Sequence, residues 1–190
     1  MGNLRLTAVV GAVLIVLLAV EGATIPWIGG LLTVHIFVGM LLLGPVGLKL
    51  AATGYRFARY YTGSLDYVEK GPPAPLMRVV VAPILVLSTL TLFGTVVALL
   101  AFGRVGMLSL LHKASFIVWF GATAIHVLAY AGRAARYTLA ERRKRTGGTG
   151  RRVGLLLASL FIGLGIAFAT LPQAHSWRHS AAGHHHHDDG

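Results

Sequence analysis

The chain has 190 residues, of which 55% are hydrophobic and only 12% charged; its formal net charge is +11 and it contains no cysteine. A mean hydropathy of +0.72, with roughly half the charge of an ordinary soluble domain, predicts an integral membrane protein. The absence of cysteine excludes disulfides, cysteine-ligated iron–sulfur clusters and covalent c-type haem, and no glycine-rich nucleotide fingerprint follows a strand.

The pattern predicts an all-α, polytopic bundle of five transmembrane helices, at about 6–24, 31–52, 79–102, 107–131 and 153–171, each long enough to cross about 30 Å of hydrocarbon. Residues 1–171 form a single membrane domain, and 172–190 a polar, His-rich tail that reads as disordered. The first helix follows the basic start Asn3-Leu4-Arg5. Such a start with an apolar core also opens a signal peptide. The run is long for one, however, and no small-x-small cleavage site precedes Pro26, so the segment is read as retained. Glu21, near its far end, is placed at the interface. Pro26, Trp27 and Gly29-Gly30 make a turn, with Trp27 suited to the headgroup level.

The second helix carries His35 near its start, Gly39 one turn later on the same face, and Pro45 between Gly44 and Gly47, where a kink is expected. Gly39 offers a flat surface that either a porphyrin or a neighbouring helix can use. Lys49 follows His35 by fourteen residues and shares its face. Three roles stay open for it: snorkelling to the headgroups, pairing with a haem propionate, or ligation as a neutral amine. The polar segment from Tyr55 to Arg78 extends this helix into the headgroups and then breaks it at Pro72-Pro73-Ala74-Pro75. On the third helix Ser88, Thr91 and Thr95 form a polar stripe, expected to bond to neighbouring helices.

The fourth helix is the centre of the sequence. His112 and His126 interrupt it fourteen residues apart, which brings them within about 40° of each other and separates them by about 21 Å along the axis. Ser115, Phe116, Trp119 and Thr123 lie between them, and Tyr130 follows. Ionisable groups inside a membrane are costly and usually functional, and imidazole is a common axial ligand of haem iron. Two histidines bonded to neighbouring helices are the structural alternative. A basic loop with Arg133, Arg136, Arg142, Arg143, Lys144, Arg145, Arg151 and Arg152 follows; it reads as an orientation signal and a contact for anionic lipid, not as a nucleic-acid site. The fifth helix has no ionisable group and offers Gly154, Ala158, Gly163 and Gly165 for packing. His184–His187 is either a divalent-metal chelator or an affinity tag.

Basic loops stay on the cytoplasmic side. The expected topology in the cell membrane is therefore N-terminus inside, C-terminus outside, with helices two and four parallel and His35 and His112 at equal depth, as the axial pair of one haem b requires. This pattern resembles the membrane di-haem b-type cytochromes, including the cytochrome b subunits of bacterial hydrogenases, over helices two to four. It is also similar to a family of actinobacterial membrane proteins, which implies no activity. The cytochrome resemblance implies electron transfer with a quinone or a redox protein partner, haem b as cofactor, His35 and His112 as the outer iron ligands and His126 as an inner one, with Ser115 and Thr123 in hydrogen bonds around them and Gly39 and Trp119 beside the ring. The chain departs from the family at Lys49, where a fourth histidine is expected, so the resemblance implies one haem and leaves the second open. The competing classes are a haem-free transporter or metal-handling protein and a helical scaffold subunit.

Overall fold

The structure is a computed structural model, and it describes residues 2–65, 75–103, 106–141 and 149–183. The proline turn at 71–74 with Asp66, Glu69 and Lys70, the residues Arg104 and Val105, the basic run 142–145 with Gly147, and the terminal histidines 184–187 lie outside the described residues. The remainder is all-helical: α1 (Gly2–Thr24), a 3₁₀ turn (Ile25–Trp27), α2 (Ile28–Tyr61), a π turn (Met77–Val81), α3 (Ala82–Phe102), α4 (Gly106–Glu141) and α5 (Thr149–Gly183). No strand occurs among the described residues.

Four helical stretches are long and apolar enough to cross a membrane: Leu6–Tyr61, Met77–Phe102, Gly106–Tyr130 and Gly150–His175. The first takes in both segments expected at 6–24 and 31–52. Large apolar side chains such as Val16, Ile117, Phe120, Phe161 and Ile162 face outward, as lipid contact requires. The helices overrun the expected boundaries. α2 continues through Arg56 and Arg59 to Tyr61, α4 runs to Glu141, and α5 passes 171 and Pro172 to reach Gly183, so 173–183 is helix where a polar tail is expected. Hydrophobicity measures only the span within hydrocarbon; the helix-forming Ala, Arg and Leu beyond it continue the backbone ladder in the headgroups. Helix persists through Pro45, whose side chain is among the most deeply buried.

The chain divides into two compact units where the sequence predicts one domain: residues 1–54 with 148–190, and residues 55–147. In the first, α1 and α2 are antiparallel. Lys49 near the far end of α2 reaches Thr7 near the start of α1, while His35 near the start of α2 reaches Thr24 at the end of α1. Pro26 sits in the 3₁₀ turn between them; it supplies a fixed φ and needs no amide partner there. α5 crosses α2 backbone to backbone. A Cβ on Gly44 would collide with the Ser159 carbonyl, and one on Gly163 with the Leu41 carbonyl, so both positions require glycine. Phe37 and Phe168 meet edge to face at 5.4 Å farther along the same contact. Val10, Leu42, Ala167 and Ala174 fill the interior.

In the second unit α3 and α4 form an antiparallel hairpin. Gly103 has φ 83° at the end of α3, a conformation in which L side chains are strained. The π turn ahead of α3 follows from Pro83, which has no N–H and whose ring crowds the carbonyl four residues back. The helix opens there, and Ala82 N–H bonds to Met77 O, five residues back.

Candidate functional site

Each unit holds one of the leading histidines, and both are fixed in the same way. In α3, Thr95 donates its hydroxyl proton to Leu92 O at 2.8 Å, within its own helix. Its oxygen therefore accepts from the ring of His112 on α4, Nδ1 to Oγ1 being 3.1 Å. Leu92 O also lies 3.3 Å from the same Nδ1. A carbonyl only accepts, so Nδ1 carries the proton and the neutral ring has its lone pair on Nε2.

The first unit repeats the arrangement. Thr24 donates to Glu21 O at 2.6 Å, and its oxygen lies 2.7 Å from His35 Nδ1. Here a carboxylate joins: Glu21 Oε1 is 3.1 Å from the same nitrogen. Glu21 thus belongs to the interior of the α1–α2 hairpin, and the placement at the interface expected from the sequence is corrected. The reason is its partner, since a carboxylate that meets an imidazole across the hairpin loses less by leaving water. Its second oxygen, Oε2, is buried with no hydrogen-bond partner among the described residues.

The other predicted residues fall as follows. Gly39 faces Glu21: a Cβ there would stand 3.1 Å from Oε1, so the glycine clears space for a carboxylate on α1. Lys49 turns toward α1 and donates to Thr7 O at 2.5 Å, and Gly11 is the small residue that lets it approach. On α4 the predicted face is the inward one, with Ser115, Trp119 and Ala122 buried. Trp119 is engaged by α3, its Nε1–H donating to Thr89 Oγ1 at 3.0 Å. Ser115 donates back to His112 O at 2.9 Å. Thr123 is different: its hydroxyl is buried without a hydrogen-bond partner, although a helical threonine can ordinarily bond the carbonyl one turn back. His126 is half-buried, its ring 4.9 Å from that of Tyr130.

Thr24, Glu21, Thr89 and Leu92 O are functional partners that the sequence reading did not assign. Glu21 left a signal, as the one acidic residue before Asp66 and the only one inside an apolar segment. Of the threonine stripe, Thr95 reaches a neighbouring helix as expected, whereas Ser88 and Thr91 bond within α3.

Among the described residues no group of three or more His, Cys, Asp or Glu side chains could hold a metal ion. Haem asks less of the protein, because the porphyrin supplies four of the iron's ligands and the chain one or two. The donor set fits that demand. Two imidazoles have the Nδ1–H tautomer imposed by acceptors, and an unpaired buried hydroxyl lies at Thr123 on the His112 face of α4. Comparison of the chain with protein-family models, with curated proteins and with solved structures gives no match.

Proposed function

We propose that the protein is a multi-pass membrane b-type cytochrome that carries haem b and passes electrons to or from a quinone or a redox protein. The observation that carries this reading is the fixed tautomer of the two histidines. Axial histidines characteristically give their second ring N–H to a carbonyl, hydroxyl or carboxylate, which sets orientation and basicity. His112 does so toward Thr95 and Leu92 O, and His35 toward Thr24 and Glu21. Each is proposed as an axial ligand through Nε2. Haem iron, when bound, supplies a one-electron couple; the chain's residues orient the ligand nitrogens and keep them from water. His126 is the candidate for a further haem, whose presence the stoichiometry reads. In this reading α1 and α2, being antiparallel, both cross, giving five crossings with the N-terminus on the cytoplasmic side.

The test is the visible spectrum. Protein purified from membranes of cells with haem supplied should be red, with a reducible b-type spectrum. His112→Ala should lose the haem or leave it with an altered spectrum, and so should His35→Ala. Colourless wild-type protein, or both variants with wild-type spectra, overturns the reading.

A second reading is a haem-free membrane protein whose Glu21–His35 pair handles a cation. The unpartnered Glu21 Oε2 favours it, and colourless wild-type protein would bring it forward.

A further inference from the structure

The two histidines share a threonine acceptor but differ in one respect. His112 Nδ1 faces only neutral acceptors, Thr95 Oγ1 and Leu92 O. His35 Nδ1 faces Thr24 Oγ1 and a carboxylate oxygen of Glu21. We propose that Glu21 is a positioning residue that acts through His35: it makes His35 the stronger electron donor of the two imidazoles and lowers the potential of the iron that His35 ligates. The proposal rests on the haem reading.

The argument runs through the ring. A carboxylate that accepts from Nδ1–H draws that proton toward itself and raises electron density at Nε2. A more basic axial nitrogen stabilises ferric iron over ferrous, so the potential falls. The geometry around Glu21 concentrates the effect. Oε2 is buried with no hydrogen-bond partner among the described residues, so no other donor draws charge away from the imidazole. Gly39 leaves the space that Oε1 occupies, since a Cβ at that position would stand 3.1 Å from it. Thr24 is already committed to the Glu21 carbonyl, so it can receive the Nδ1 proton's hydrogen bond but cannot compete with it as a donor. A ferric porphyrin carries net positive charge, which favours the ionised carboxylate beside its ligand. Glu21 touches neither porphyrin nor iron in this scheme; its effect passes through His35.

The experiment compares purified haem-loaded wild type with Glu21→Gln, which keeps size and hydrogen-bonding capacity but removes the charge. Two readouts are taken: the midpoint potential by spectroelectrochemical titration, and the electron paramagnetic resonance spectrum of the ferric form, which reports the ligand field of the axial imidazole. The expected result is retained haem, a shift to higher potential and a changed ferric spectrum. Thr95→Val, which removes a neutral acceptor from His112, should shift the potential less. If Glu21→Gln does not insert, Glu21→Asp draws the carboxylate back by one methylene and should give a smaller shift in the same direction. Haem-loaded Glu21→Gln with an unchanged potential overturns the proposal and leaves the cytochrome reading standing. A shifted potential with an unchanged ferric spectrum means charge acting through space, which also overturns it. Wild type without haem overturns both.

Discussion

A helical threonine can satisfy its hydroxyl on a carbonyl of its own helix. Thr24 and Thr95 build on that habit: with the proton committed to Glu21 O or Leu92 O, the oxygen accepts from a histidine on the next helix. Valine at position 95 keeps the shape and removes the acceptor. Thr95→Val should cost about 0.6–1 kcal/mol of stability, the range for an intramembrane hydrogen bond, and weaken haem binding by about tenfold. Titrating haem into the unloaded variant while following the visible spectrum reads this; unchanged affinity would detach Thr95 from the ligand's function. The histidines were legible in the sequence because ionisable groups inside apolar runs are few. Their acceptors were only half legible. Spacing places Thr95 on a polar stripe, but it says nothing of which helix lies opposite, and the same lack put Glu21 at the interface and left Gly39 beside a porphyrin instead of a carboxylate.

At the scale of helices, glycine decides the closest contact in the molecule. Where α2 crosses α5, Gly44 and Gly163 bring each helix against the other's carbonyls, Ser159 O and Leu41 O. Within a membrane, helix association relies on packing of this kind more than on burial of apolar surface. Gly44→Leu has no space to occupy and should destabilise the first unit by about 1–3 kcal/mol. Gly54→Leu, on the same helix with open space around it, should be close to neutral. Thermal unfolding in detergent compares them, and equal melting temperatures would contradict the crossing. The sequence marked Gly163 as a packing position, correctly, but gave Gly154 and Gly165 the same weight, and nothing lies within 4 Å of a Cβ at either. Small residues permit close approach without showing where it occurs. Helix ends were misjudged for a different reason: apolarity stops at the headgroups, while the hydrogen-bond ladder of α2, α4 and α5 does not.

For the molecule as a whole, the arrangement of charge should decide orientation. Arg142–Arg145 and Arg151–Arg152 fall on one side of α5, and no comparable cluster lies beyond its other end. A reporter active only outside the cytoplasm should give signal when fused after Gly183 and none when fused at Gly147. Signal at Gly147 would reverse the topology, and with it the depth assigned to both histidines. The helical class and membrane character were legible from composition alone. The division into two compact units was not. The first unit joins residues 1–54 to 148–190, a union made by contacts such as Leu41–Gly163 between segments far apart in the chain, which no local pattern records.

That union has a consequence for biogenesis. A ribosome delivers α1 and α2 first and α5 last, with the whole of the second unit made in between. The groove on α2 at Leu41 and Gly44 therefore enters the bilayer well before the helix that fills it has been synthesised. During that interval the Glu21–His35 hairpin must hold together on its own contacts, with the backbone of α2 bare toward lipid at its narrowest point. The α3–α4 hairpin suffers no such delay, because Thr89, Thr95, His112 and Trp119 emerge within one continuous stretch. The two histidine sites thus mature at different times: His112 reaches its final partners while the chain is still being made, and the surroundings of His35 are completed only when translation ends.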